Sequence, residues 1–129
     1  MSRKSDVTTI QSYLTDASNF PGGQADEVLV PESVEELVEF LKGNTEPITI
    51  AGAGTGLTAS RVPMAGRVVS TERFSKLGKP DASGVIQCGP AVRIKQLQDH
   101  LKSTEWFYPP NPTETMASLG GTLATNASG

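Results

Sequence analysis

The chain has 129 residues, of which 36% are hydrophobic and 19% are charged, and its formal net charge is -3. This composition is typical of one soluble globular domain, and the acidic balance argues against a nucleic-acid partner, which would require a basic surface. No apolar run approaches the roughly 20 residues that span a bilayer, and no secretory signal is present, so we expect a cytoplasmic location, with a peripheral position at a membrane included.

The first half of the chain alternates between helical and strand patterns. A short helical pattern, "VTTIQSYL", precedes the strand pattern "DEVLVP", the helix pattern "SVEELVEFLKG" and the strand pattern "PITIAG". Ser33 and Glu36 have capping-box spacing at the start of the longer helix, and Gly43 is expected to end it. Its apolar face comprises Val34, Leu37, Val38 and Leu41. Strand, helix and strand in this order predict a small βαβ unit with a right-handed crossover.

The second half begins with two further strand patterns, "GRVVST" and "GVIQCG", followed by the helix "AVRIKQLQDHLK". The remaining stretch, "FYPPNPTETMASLGGTLATNASG", interrupts every periodic pattern with proline and glycine, so we predict a loop. The fold class is therefore α+β rather than a regular alternation of strands and helices. Because the chain stops on small residues with no element completed, we expect it to be the N-terminal part of a longer polypeptide.

The single cysteine and the single histidine exclude an internal disulfide and predict that the chain holds no metal. Cys88 shares a strand face with Ile86 in "VIQC", so we expect a buried and inert thiol. His100 lies at the edge of the apolar stripe of the second long helix, which favours a surface position. Neither residue is predicted to be catalytic.

The stretch "ITIAGAGTGLTASRVPMAGRVVSTE", residues 48–72, resembles a nucleotide-binding loop, and two common designs can be excluded. The phosphate loop of nucleotide hydrolases ends in Gly-Lys-Ser/Thr, but Gly56 is followed by leucine and threonine. A Rossmann turn must open a helix whose N-terminus faces the pyrophosphate, and Pro63 and Gly66 interrupt the short segment before the next strand. The match to G-x-G-x-x-A is therefore accidental.

A glycine-rich loop without a following helix remains. Residues 48–60 carry no charged side chain, and backbone amides in such a turn can surround an anion because little blocks its approach. The stretch "ASLGGTLATNASG" has the same chemistry. Two stretches of this kind suit a long ligand with a phosphate region and a flat polar ring system.

Three motifs in order carry a family resemblance: "PITIAGAGTGLTASRVP…GRVVSTERFSKL", "VIQCGPAVRIKQLQDHL" and "FYPPNPTETMASLGGTLATNASG". They resemble the PCMH-type FAD-binding domain of the vanillyl-alcohol oxidase and p-cresol methylhydroxylase superfamily, with the FAD-linked D-lactate and glycolate dehydrogenases as the nearest branch. The implied fold is a small βαβ subdomain followed by the start of a second mixed α+β subdomain. Ala51 and Ala53 depart from the arginine or glycine that many members carry there.

The resemblance also implies the site residues. The first loop would surround the FAD diphosphate through Gly52, Ala53, Gly54, Thr55, Gly56 and Leu57. The second stretch would line the flavin and the adjoining ribityl and diphosphate groups through Pro110, Thr113, Ser118, Gly120, Gly121, Asn126, Ala127 and Gly129. Members that tether the flavin carry a histidine in the first loop, where this chain has none, so we expect non-covalent FAD.

The implied activity belongs to a longer parent, because family members are several times longer. Residues 1–129 would form the N-terminal part of the FAD-binding domain, and no catalytic residue is expected in them. The parent would oxidise a D-2-hydroxy acid to a 2-oxo acid by hydride transfer to flavin and pass electrons to a quinone or cytochrome. The alternatives are an alcohol, sugar or ether-lipid oxidoreductase of the same superfamily, or a non-catalytic flavin-binding module.

Overall fold

The structure is a computed structural model that describes residues 1–127. The chain divides into two compact units, Met1–Arg73 and Phe74–Gly129. The elements of the first unit are β1 (Ser2–Lys4), α1 (Val7–Ile10), a 3-10 turn (Gln11–Tyr13), β2 (Glu27–Val30), α2 (Val34–Gly43), β3 (Ile48–Ala51) and β4 (Arg67–Ser70). The second unit contains α3 (Ile94–Leu101) and α4 (Leu119–Ala124). This is the mixed α+β fold that the sequence predicts.

The first unit is built on a four-stranded sheet in the order β1-β2-β4-β3. β2, β4 and β3 are parallel, and β1 is antiparallel to β2. The predicted strand–helix–strand unit is present, but β4 lies between its two strands. The reason is hydrophobic: Val68 and Val69 of β4 are almost fully buried, whereas Ile50 of β3 is 56% exposed, as an edge strand permits. β1 was not predicted, because "SRK" carries no strand pattern.

Helix α2 forms where the sequence predicts it, but its apolar face is not buried. No residue of α2 is buried, and Val34, Val38 and Leu41 are all exposed. At its start the Ser33 hydroxyl accepts a hydrogen bond from the Glu36 amide at 3.2 Å. The Glu36 carboxylate accepts from the Glu32 amide, at 2.9 Å, so only half of the predicted capping box forms. The helix ends at Gly43, as predicted.

A polar cluster joins the N-terminal residues to the end of β4. The Tyr13 hydroxyl lies 2.6 Å from both Lys4 Nζ and Glu72 Oε2, and Lys4 is also 3.3 Å from Glu72 Oε1. Burial alone would raise the pKa of Glu72, but hydrogen bonds from Tyr13, Ser70 and Lys4 outweigh burial and hold this pKa below its ordinary value of 4.5. The cluster therefore stabilises the first unit while Glu72 is ionised.

We expect Glu72→Gln to remove part of the acid sensitivity of the protein. A carboxylate whose pKa is lowered by folding stabilises the folded state above the unfolded pKa and loses this contribution as the pH falls through the folded pKa. Parent and variant should therefore differ in urea midpoint at pH 7, and the difference should begin to shrink as the pH falls below the ordinary pKa of 4.5. Glu39→Gln, an exposed change on α2, is the matched control. A difference between parent and Glu72→Gln that stays constant as the pH falls from 7 to 3 would contradict the ionic role.

In the second unit, a small core surrounds helix α3. Val92, Leu97 and Leu101 are buried, with Trp106 and Tyr108 packed against them. The His100 ring nitrogen Nε2 lies 2.9 Å from the Gly78 carbonyl oxygen, which agrees with its predicted position at the edge of the stripe.

One strand prediction for the second unit is wrong. "GVIQCG" forms only an isolated antiparallel bridge between Leu77 and Cys88, and Cys88 is exposed rather than buried. Glycine explains part of this outcome. Gly84 has φ 83°, and a Cβ at Gly89 would lie 2.0 Å from the Phe74 carbonyl oxygen, so the segment bends too closely against its neighbour for a regular ladder.

Candidate functional site

The first candidate site is the loop of residues 52–57, called the glycine loop below. It follows the carboxyl end of parallel strand β3, the edge at which ligands bind in many α/β sheets. In the part of the chain that the structure describes, no amide of this loop donates a hydrogen bond to a protein acceptor. Successive amides that the protein itself does not use are the donors that an anion requires. The glycine loop therefore presents backbone amide donors of the kind that bind an anion.

Gly54 and Gly56 contribute to the glycine loop in different ways. Gly54 has φ 76°, a left-handed conformation, and a Cβ built on it would lie 2.6 Å from Arg61 Nη1. At Gly56 an added Cβ would meet only the Ser60 hydroxyl, at 3.9 Å. Gly54 is thus required by the turn and by its neighbour, whereas Gly56 leaves space that a ligand can approach.

The segment of residues 12–17, called the support segment below, contacts the glycine loop and was not predicted from the sequence. The amide of Ala17 donates to the Gly54 carbonyl oxygen at 3.0 Å. Arg61 donates through Nη1 to the carbonyl oxygens of Ser12 and Thr15, at 3.1 and 2.6 Å. Because these bonds join positions 49 and 46 residues apart, no local pattern in the sequence indicates them.

Asp16 fixes the shape of the support segment. Its carboxylate is buried and accepts from the amide of Ser18 at 3.0 Å and from the Ser18 hydroxyl. Burial would raise the pKa of Asp16, but the hydrogen bonds from Ser18, a bond from the Arg61 backbone and the Arg61 charge hold it below its ordinary value. An aspartate with a serine two residues later is the sequence signal of such a turn.

The exit of the glycine loop contains a backbone conformation that glycine usually adopts. Ala59 has φ 58°, and its carbonyl oxygen accepts from the Val62 amide at 3.0 Å. Residues 52–66 form turns and bends, with no helix before β4. The exclusion of a Rossmann turn is therefore confirmed.

Residues 107–129, which contain the second candidate stretch, are predicted to be a loop, and this prediction is wrong for α4. The Ser118 side chain accepts from the Gly121 amide at 3.3 Å and caps the helix. The preceding residues are held by backbone hydrogen bonds, including the Ile94 amide to Ala117 oxygen at 3.0 Å and the Leu119 amide to Val92 oxygen at 2.8 Å. Tertiary contacts therefore stabilise a helix that two adjacent glycines would otherwise weaken.

The glycines of α4 lie close to protein atoms of their own unit. A Cβ on Gly120 would lie 2.5 Å from Pro90 Cβ, and the Gly120 amide donates to the Pro90 carbonyl oxygen at 2.9 Å. A Cβ on Gly121 would lie 3.0 Å from the Ser118 hydroxyl. Packing within the second unit is therefore sufficient to require glycine at position 120.

Asn126 and Ala127 end helix α4 in a Schellman motif. Asn126 has φ 51°, its amide donates to the Leu123 carbonyl oxygen at 3.3 Å, and the Ala127 amide donates to the Thr122 oxygen at 2.8 Å. Both residues are exposed. Asparagine adopts the left-handed conformation more readily than other non-glycine residues, which explains its position here.

The predicted site residues fall into two groups. Gly52, Ala53, Gly54, Thr55, Gly56 and Leu57 lie together in the first unit, and Ser118, Gly120, Gly121, Asn126 and Ala127 lie on α4 or at its ends in the second. Half-buried Pro110 and exposed Thr113 belong to the segment before α4. Gly129 lies outside the described residues.

An apolar cleft of about 480 Å³ lies in the second unit beside α4. Trp106, Tyr108, Leu97 and Gly120 contribute to its walls, and Cys88 also lines it. Its apolar and aromatic walls suit a flat apolar surface rather than an anion, in contrast to the glycine loop of the first unit.

The chain matches known sequences over most of its length. The profile of a family described as "FAD binding domain" matches residues 25–129. A D-lactate dehydrogenase of Archaeoglobus fulgidus is 36% identical over 99 residues, which cover 76% of this chain and 22% of that protein. A D-lactate dehydrogenase of Anaerostipes hadrus is 32% identical over 125 residues, covering 92% of this chain and 26% of that protein. The chain therefore spans about a quarter of the length of these relatives.

The fold is also found among solved structures. An alkyldihydroxyacetonephosphate synthase superposes with a TM-score of 0.80 at 21% sequence identity, over 98% of this chain and 28% of that chain. This likeness establishes the fold alone. Among the described residues, no helix combines the length and apolar character that a membrane span requires.

Proposed function

Because the chain belongs to the FAD binding domain family, within the vanillyl-alcohol oxidase and p-cresol methylhydroxylase superfamily, its cofactor is FAD, and we propose that it forms the N-terminal part of the FAD-binding portion of a D-2-hydroxy-acid oxidoreductase. The relatives named D-lactate dehydrogenase favour this substrate class over the alcohols, sugars and ether lipids that other branches oxidise. The products would be a 2-oxo acid and electrons passed to a quinone or cytochrome.

The glycine loop carries the proposal. Its amides have no protein acceptor in the described part of the chain, and its Gly56 leaves open space next to the backbone. We assign the FAD diphosphate to this loop, because charge-assisted hydrogen bonds from several backbone amides bind an anion without requiring a basic side chain.

The chain contributes binding and positioning, while the chemistry comes from the cofactor. FAD, when bound, supplies the hydride acceptor for oxidation of the substrate α-carbon. The remaining members of the site would be Ser118, Gly120, Gly121, Asn126 and Ala127, with Pro110, Thr113 and Gly129. We propose no catalytic residue within residues 1–129, so the chain alone should have no dehydrogenase activity.

An absorbance spectrum of the full-length flavoprotein, with and without D-lactate under anaerobic conditions, tests the substrate assignment. We expect the visible flavin band to bleach with D-lactate and to remain with L-lactate, the matched control. If neither enantiomer bleaches the flavin but an alcohol or a sugar reduces it, the parent would belong to another branch of the superfamily. A protein that no such substrate reduces would be a flavin-binding module.

FAD should be held without a covalent bond. The only histidine and the only cysteine, His100 and Cys88, lie outside the glycine loop and outside residues 110–129. Acid precipitation of the holoprotein is therefore expected to release all flavin colour into the supernatant. Colour in the pellet would contradict this expectation, and repeating the precipitation with Cys88→Ser and His100→Gln would identify the attachment.

A further inference from the structure

We propose that Arg61 is a positioning residue for the diphosphate, acting through the glycine loop; this inference rests on the proposed FAD-binding function. Arg61 was not among the predicted site residues, and it directly follows residues 48–60, none of which is charged. Its guanidinium nevertheless lies beside Gly54, since a Cβ built on Gly54 would lie 2.6 Å from Nη1 and 3.1 Å from Cζ.

The guanidinium connects the glycine loop to the support segment. Nη1 donates to the carbonyl oxygens of Ser12 and Thr15, at 3.1 and 2.6 Å, and Cζ lies 5.7 Å from the centre of the Tyr13 ring. A second contact joins the same two segments, because the Ala17 amide donates to the Gly54 carbonyl oxygen at 3.0 Å. The turn at Gly54 is thus fixed from one side by Arg61 and at its carbonyl by Ala17.

This arrangement orders the loop before the ligand arrives. A loop whose amides make no hydrogen bonds within the protein has little intrinsic reason to keep one conformation, and ordering it on binding would weaken affinity. Contacts to Arg61 and Ala17 supply that order without using the loop amides. Arg61 also places a positive charge beside the proposed diphosphate site in a chain of net charge -3.

The position of the Arg61 guanidinium should contribute more to FAD binding than its charge does. The buried carboxylate of Asp16 lies in the same segment, and the charge of Arg61 is one cause of its lowered pKa. Asp16 therefore offsets part of the guanidinium charge. A lysine at position 61 retains the charge but lacks the planar group that lies against Gly54 and Tyr13, so it should restore binding only in part.

The test compares the parent chain with Arg61→Met, Arg61→Lys and the control Arg3→Met, which removes a charge from an exposed arginine of the same unit. Binding of FAD and of riboflavin, which lacks the diphosphate, is followed by NMR titration up to millimolar ligand. We expect Arg61→Met to weaken FAD binding about tenfold, Arg61→Lys to fall between it and the parent, and Arg3→Met to match the parent. The response to riboflavin should be the same in all four proteins.

A second measurement needs no ligand. Amide exchange at Ala17, which reports its bond to Gly54, should be faster in Arg61→Met and unchanged in Arg3→Met. Equal FAD affinity in Arg61→Met and parent, or equal losses for FAD and riboflavin, would overturn the role of Arg61. A parent chain that responds to neither ligand would instead overturn the proposed FAD-binding function. If Arg61→Met does not fold, full FAD affinity in Arg61→Lys would refute the geometric role.

Discussion

Replacing Gly54 with valine is expected to weaken FAD binding by at least about two orders of magnitude, because the loss of two charge-assisted hydrogen bonds at about 1.5–3 kcal/mol each suffices for this. Two features of the turn make valine incompatible with it. The backbone has φ 76°, which a β-branched residue rarely adopts, and the new Cβ would lie 2.6 Å from Arg61 Nη1. The turn must therefore open, and its amides can no longer converge on the anion. Titration of FAD into folded apoprotein gives the measurement.

Gly22→Val separates strain from loss of the site. Gly22 also has a left-handed backbone, with φ 86°, but nothing lies within 4 Å of the position of its added Cβ. Gly22→Val should therefore lower the free energy of unfolding through backbone strain, while the folded fraction of this variant binds FAD as the parent does. If folded Gly54→Val also retained parental affinity, Gly54 would be a structural turn and the diphosphate would have to bind elsewhere.

Gly120→Ala should destabilise the second unit by about 1–3 kcal/mol, the usual cost of inserting a methyl group into a packed contact. The methyl group would lie 2.5 Å from Pro90 Cβ, where the helix begins and the Gly120 amide donates to the Pro90 oxygen. The single tryptophan, Trp106, packs against the core of this unit, so its fluorescence during urea unfolding reports the change.

Gly43→Ala provides the comparison for Gly120→Ala. It is the same substitution within a helix, at a position with nothing within 4 Å, and should be neutral or stabilising by up to about 1 kcal/mol. A Gly120→Ala protein as stable as the parent, but with weakened FAD binding, would show that Gly120 faces the ligand instead of Pro90.

Local patterns predicted the elements whose stability depends on nearby residues. The valines of β2 and β4 and the cap residue Ser33 are signals contained within a few positions, and the structure has the corresponding strands and helix. The glycine loop could be predicted for the same reason, since its small uncharged residues are contiguous. Ile50 shows what local patterns cannot predict. Strand order decides whether Ile50 is buried, and strand order depends on residues far along the chain.

The errors also have physical causes. Helix α4 contains adjacent glycines and is held by contacts to residues 90–94, so its local propensity is misleading. The sequence nevertheless contains a signal for each end of this helix. Ser118 is a favourable N-cap residue, and Asn126 occupies the left-handed position after the C-terminus. Arg61 could not have been found, because its partners Ser12 and Thr15 are 49 and 46 residues away.

The left-handed alanine at position 59 has a consequence for how this loop can diverge. With φ 58°, Ala59 occupies a conformation that costs an L-residue about 1–2 kcal/mol and glycine nothing. Glycine in turn loses about 0.5–1 kcal/mol through the greater freedom of its unfolded chain, so the net preference for glycine is only about 0–1.5 kcal/mol. Alanine and glycine codons differ by one nucleotide. Exchange of the two residues at this position therefore needs one nucleotide change and costs little stability, so a left-handed backbone here does not by itself demand glycine.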